Sequence, residues 1–226
     1  ACHGAEILAY MAVLTIVISS LIAIRKDNLK ARLAFSTVGQ LSYIILGICI
    51  LTPESTVGAI YHIVAHAFMK ITLFMCAGAI FVTTHKKDIS EMVGLGRRMP
   101  VTMSAFTIAS LGIAGFPFFV GFVSKANIIM GALKTGQLLF GATLIVSAVL
   151  ALTYLMPVVL ITFKREPVNP EFNTYGEASK TMLVPLLITA TVSVILGVAP
   201  NFGLHLLDLA ISTGEAVFAH VGGVIC

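Results

Sequence analysis

Charge is what this sequence has least of. Lys and Arg number 14 and Asp and Glu 10 in 226 residues, 11% of the chain against 58% hydrophobic residues. The mean hydropathy of +1.02 lies far outside the range of soluble domains and marks an integral membrane protein. The four cysteines, Cys2, Cys49, Cys76 and Cys226, include no CxxC and no Cys/His pair at metal spacing. Neither a disulfide framework nor a metal site is expected, and the cysteines read as small apolar fillers. A nucleotide loop, a haem or iron–sulfur ligand set and a hydrolytic triad are also missing. No cofactor is therefore expected, and any redox chemistry falls to partner subunits. The chain begins Ala-Cys-His, and its first apolar run has no basic stretch before it. It does not read as a signal peptide, and a truncated start is the expectation.

What is present is a series of apolar runs near the roughly 20 residues that a helix needs to cross about 30 Å of hydrocarbon. The alternating strands of about ten residues expected of a membrane barrel are not seen. The fold class is thus an all-α, multi-pass helical bundle, a single transmembrane domain over 1–226. Spans are predicted at 5–24, 34–52, 57–82, 101–123, 138–163 and 181–199. Segment 203–226 mixes apolar residues with His205, Asp208, Glu215 and His220, and reads either as a seventh crossing or as an interfacial helix. Basic residues alternate by side: Arg25, Lys26, Lys30 and Arg32 in loop 25–32; none in 53–56; Lys86, Lys87, Arg97 and Arg98 in 85–100; Lys134 alone; then Lys164, Arg165 and Lys180 in 164–180. Under the positive-inside rule the first, third and last of these loops face the cytoplasm, or an equivalent inner side. Flanking cations of this kind suit anionic lipid headgroups, so the net charge of +4 requires no nucleic acid.

Against this background the ionisable residues inside spans stand out. In "AIYHIVAHAFMK", His62, His66 and Lys70 recur every fourth residue and fall within about 80° of helical arc, forming one polar stripe. A charge near mid-span costs at least about 2.5–3.5 kcal/mol on insertion scales, and aligned intramembrane ionisable groups are typical of proton relays. The plainer alternative is neutral histidines bonded to carbonyls beside a snorkelling lysine. In "LGIAGFPFFVGFVSK", Gly112, Gly115, Pro117 and Gly121 predict a broken helix, because proline removes a donor and glycines loosen the backbone. Such breaks survive where protein buries them or water hydrates them. Lys125 follows the break and reads equally as an interfacial anchor or as an ion-path residue. Lys30 is either a topology signal or the head of a path through Ser36, Thr37, Gln40, Ser42 and Tyr43.

The sequence resembles the proton-translocating membrane subunits shared by NADH:quinone oxidoreductase, membrane-bound hydrogenases and Mrp-type cation/proton antiporters. The likeness rests on "NLKARLAFSTVGQLSYIILG", "IYHIVAHAFMKITLFMCAG", "DISEMVGLGRRMP" and "SLGIAGFPFFVGFVSK", strongest over residues 20 to 130. It implies the C-terminal half of a subunit of about fourteen transmembrane helices, with Lys30, His62, His66, Lys70 and Lys125 as a proton relay. The implied setting is the inner (plasma) membrane, among other membrane subunits, with H⁺ and possibly Na⁺ as the transported ions. The phrases "GLGRRMP" and "GFVSK" look most like the D-type member of the Mrp antiporter subunits. The alternatives are a pumping subunit of an NADH-oxidising or hydrogenase complex, and a non-conducting structural subunit. The family's first repeat, with its glutamate–lysine pair, has no counterpart here, and only Pro117 stands where the family often has two prolines.

Overall fold

The computed structural model describes residues 3–164 and 176–221, all helical apart from short connections. Among these residues there are eight α-helices: α1 (His3–Arg25), α2 (Leu29–Cys49), α3 (Pro53–Thr84), α4 (Pro100–Ala114), α5 (Val120–Lys134), α6 (Leu138–Lys164), α7 (Lys180–Val198) and α8 (Leu206–Val221). Of these, α1, α2, α3, α6 and α7 are long and apolar enough to cross a membrane. Cys2, Arg165 and Cys226 lie outside the described residues, as do the side chains of Lys164 and His220.

Local chemistry sets the helix ends. The Asn28 side chain accepts from Ala31 N to start α2. Thr52 and Ser55 form a reciprocal capping box with Pro53 in the first turn of α3, and His85 closes that helix in the left-handed conformation. Helix α4 lacks a cap of its own; Glu177, from the segment before α7, accepts from Val101 N at 2.8 Å and from Thr102 Oγ1 at 2.6 Å. A carboxylate at a helix N-terminus also complements the helix dipole.

The expected span at 101–123 is corrected in its extent: the helical path continues to Lys134, and the expected break divides it into two 15-residue helices. Each rises only about 22 Å, short of a bilayer core, and the two pack along α3, whose 32 residues rise about 48 Å. The unwound stretch is 115–119, where Gly115 has φ 85° and Phe118 φ 74°. Gly112 and Gly121 are helical and serve close packing instead: a Cβ on Gly112 would sit 2.7 Å from Met69 Sδ. The first basic loop is also shorter than expected. Helix α2 begins at Leu29, so Lys30 and Arg32 belong to its first turn.

The ends of the bundle sort by contact. Asn28 pairs with Asp88, and Ser90 Oγ donates to Asp27 Oδ2 at 2.6 Å, so the first two basic loops meet at one end. Glu177 joins the third basic segment to the start of α4 at that same end. At the other end Lys134 pairs with Glu54, and Gly131 packs against Thr52 and Ser55. Helix α8 has 16 described residues, and its Gly214 faces Val57 at the start of α3.

Candidate functional site

Helix α3 is the axis of the site. Its polar stripe faces α2 on one side and α5 on the other, and His62, His66 and Lys70 are all buried. Close approach to α5 is permitted by Gly58, one turn before His62, where a Cβ would fall 2.7 Å from the Ser124 carbonyl. That contact places Ser124 against the first histidine: Ser124 Oγ and His62 Nδ1 are 2.7 Å apart. The His62 ring stacks on Tyr43 of α2 at 5.6 Å between centroids and on His66 at 6.1 Å. Both histidine Nε2 atoms are buried without a hydrogen-bond partner among the described residues. Buried nitrogens of this kind ordinarily have partners.

Lys125 does not sit at the rim of the bundle. It is 4% exposed, folds back over the break, and donates to the Ile113 carbonyl at 2.5 Å. Ile113 lies in the last turn of α4, where carbonyls have no helical partner and carry the negative end of the helix dipole. The helix break therefore creates the acceptor that holds the ammonium. Gly115 makes room for it: a Cβ there would sit 2.8 Å from Lys125 Cδ. The ammonium also lies 4.8 Å from the centroid of the Tyr43 ring, a cation–π contact that links Lys125 to the aromatic row ending at His66.

At the other end of the row Lys70, 5% exposed, turns toward α2, donating to the Leu33 carbonyl at 2.9 Å and to Ser36 Oγ at 2.8 Å. No carboxylate bonds to Lys70 or to Lys125 among the described residues. Of the other polar residues on α2, Ser36, Gln40 and Tyr43 are buried at the site, whereas Thr37 and Ser42 bond back to carbonyls of their own helix. Lys30 stands apart: it is exposed, over the Phe81 ring at 4.9 Å, in a cleft of about 360 Å³ shared with Lys86 and Lys87.

Three members of the site escape a reading of the sequence. Ser124 is masked by the more conspicuous lysine beside it, and Tyr154 is lost in the apolar run of α6. Arg32 is counted with the loop cations, yet it is 8% exposed and bonds three carbonyls. A signal for Arg32 exists: residues 32, 36, 40 and 43 follow helical spacing, so the arginine heads the same polar face of α2.

Residues 3–165 match the NADH:quinone oxidoreductase/Mrp antiporter transmembrane family. The chain is 34% identical over 203 residues to NADH-quinone oxidoreductase subunit N of Desulforudis audaxviator, covering 85% of this chain and 40% of the relative. It is 32% identical over 214 residues to F(420)H(2) dehydrogenase subunit L of Methanosarcina mazei, covering 87% and 31%. Among solved structures, a chain of the Mrp complex from Dietzia superposes with a TM-score of 0.85 at 22% identity, over 98% of this chain and 49% of that one. A chain of the archaeal membrane-bound sulfane sulfur reductase superposes with a TM-score of 0.83 at 29% identity, over 98% and 44%. The chain thus spans less than half the length of these relatives.

Proposed function

Because this chain belongs to the NADH:quinone oxidoreductase/Mrp antiporter transmembrane family, we propose that it is the proton-conducting part of a membrane subunit in a multisubunit complex of the inner (plasma) membrane. The observation that carries this reading is the buried row Lys125, His62, His66 and Lys70, whose two lysines bond only to neutral oxygens. An ammonium held in low dielectric without a counter-charge exchanges its proton readily when a neighbouring charge moves. Imidazole accepts on one nitrogen and donates from the other, so His62 and His66 suit the interval between the lysines. Lys30, exposed near the basic end, would exchange protons with the aqueous side rather than within the row. Because the chain covers 40% or less of these curated relatives, the complete path across the membrane is proposed for the assembled protein.

The finer reading is the D-type member of the Mrp cation/proton antiporter subunits, supported by "GLGRRMP" and "GFVSK". A redox-linked pump is favoured instead by the names of the curated relatives, subunits of NADH-quinone oxidoreductase and of F(420)H(2) dehydrogenase. Purifying the native assembly separates the two, since flavin and iron–sulfur partners accompany only the second. The relay itself is tested by pH-gradient formation in inverted vesicles. Lys70→Ala and Lys125→Ala should each abolish the gradient in a normally assembled complex, and a wild-type gradient in either would reject the relay.

A further inference from the structure

Lys70 does not point along the histidine row. Its ammonium is held on α2, and the oxygen that holds it, Ser36 Oγ, is shared with a third helix: the Tyr154 hydroxyl of α6 donates to the same atom at 2.9 Å. Ser36 and Tyr154 are both 2% exposed, in a bundle where a hydroxyl with no task would cost stability. Tyr154 is itself fixed from behind, because its backbone carbonyl accepts from Arg32 Nη1 at 2.9 Å. Arg32 is anchored in turn, with Nε on the Lys26 carbonyl at 2.8 Å and Nη2 on the Ile24 carbonyl at 3.4 Å. Pro157, three residues beyond Tyr154, lies within α6 and loosens this turn by withholding the N–H owed to the Thr153 carbonyl. A carbonyl in a loosened turn is free to tilt toward a side-chain donor.

We propose that Tyr154 and Ser36 form a hydroxyl path that exchanges protons with Lys70 on the side away from His66, and that Arg32 is the positioning residue that aims it. The proposal rests on the relay reading of Lys70 and gives that lysine its second outlet. When Lys70 is an ammonium, Ser36 Oγ accepts from it and from Tyr154, so both lone pairs of the serine are occupied. Once Lys70 has passed a proton toward His66, the free amine has a lone pair and the serine O–H can turn to it. Reloading then proceeds as a linked shift. The Ser36 O–H bond breaks as an N–H bond forms on Lys70; the phenolic proton of Tyr154 passes to Ser36 Oγ; and the phenolic oxygen takes a proton from hydronium of the aqueous phase on the basic side. The net change is one proton moved from water to Lys70, with no ion left on either hydroxyl. Arg32 takes no part in the transfer, since guanidinium does not deprotonate in proteins.

The test uses the full assembled complex in inverted vesicles, with assembly checked for each variant and translocation followed across pH. Tyr154→Phe removes one oxygen and leaves the carbonyl that Arg32 holds; Ser36→Ala removes the other. Each should slow translocation about tenfold and displace the pH profile, and the double variant should be no worse than the worse single one, as expected of residues in series. Combined with His66→Ala, Tyr154→Phe should likewise lose little beyond the slower of the two single variants, because both lie on one path through Lys70. Arg32→Gln should lose rate in the wild-type background but lose nothing further in Tyr154→Phe, and Arg32→Lys should restore part of the rate. Wild-type rates in Tyr154→Phe, or multiplying losses in the Ser36/Tyr154 double variant, overturn the proposal. If Arg32→Gln does not assemble, the tyrosine and serine variants still decide. Where Lys70→Ala is inactive but both hydroxyl variants run normally, the hydroxyl path alone fails; where Lys70→Ala itself translocates, the relay fails with it.

Discussion

Lys70 and Lys125 show how a buried charge is tolerated without an opposite one. Each ammonium rests on a backbone carbonyl, that of Leu33 or of Ile113, and each has one further soft partner, a hydroxyl or an aromatic face. Such a setting stabilises the cation by less than an ion pair would, because neutral acceptors offer it a dipole rather than an opposite charge. That leaves the proton able to move. The histidines differ from each other in the same terms. His62 is tied to Ser124 and stacked between Tyr43 and His66, while among the described ring contacts His66 stacks on His62. Ser124→Ala should accordingly leave His62 Nδ1 unpartnered and slow translocation several-fold, measured as the initial rate of pH-gradient formation. His66→Ala should be milder than Lys70→Ala, since water replaces a bridging imidazole more readily than it replaces a proton-carrying amine.

Among the elements, the discontinuous pair α4 and α5 decides where Lys125 goes. The Ile113 carbonyl could not be satisfied within a continuous helix, because the residue four places on is Pro117, which has no N–H; the unwinding at 115–119 turns the chain so that Lys125 reaches that free carbonyl. Gly115→Ala tests this directly. It adds a side chain at φ 85° and 2.8 Å from Lys125 Cδ, so it should both strain the backbone, by about 1–3 kcal/mol, and displace the ammonium. The expected result is a lowered melting temperature together with lost translocation, although both lysines are retained. Helix α4 offers the contrasting case, because its foreign cap lies far from the row. Glu177→Ala should cost about 1–2 kcal/mol of stability and leave the translocation rate per assembled complex near normal. Loss of translocation in an assembled Glu177→Ala variant would mean that the placement of α4 is felt at the break.

Taken as a whole molecule, the described helices have one basic end and one end closed by Lys134 and Glu54. A bilayer around the bundle would meet the exposed apolar residues of α1, among them Ile7, Met11, Leu14, Ile18 and Leu21. Sidedness is directly measurable. In a background with the native cysteines replaced by alanine, Lys87→Cys and Thr135→Cys should react with an impermeant thiol reagent from opposite faces of sealed vesicles. Labelling of both from one face would mean that α4 and α5 together do not complete a crossing. The ion pair Lys134–Glu54 is exposed and should contribute only about 0–1 kcal/mol, so Glu54→Gln is expected to leave the melting temperature nearly unchanged.

Hydropathy and helical spacing alone determined a good deal of this protein. The five long spans, the stripe His62, His66 and Lys70, and the interruption near Pro117 all follow from local rules: run length, the recurrence of polar residues at every fourth position, and a missing backbone donor. What those rules could not reach is any question about which helix lies across from which. Lys125 is equally an anchor or a buried group until α4 presents a free carbonyl to it, and Ser36 is one polar residue among several until α3 and α6 bring Lys70 and Tyr154 to the same oxygen. Arg32 is a loop cation in sequence and a buried clamp in space, because three carbonyls from two other parts of the chain converge on it. Periodicity records the face on which a side chain lies; its partner is set by packing between segments more than a hundred residues apart, as Arg32 and Ser36 are from Tyr154.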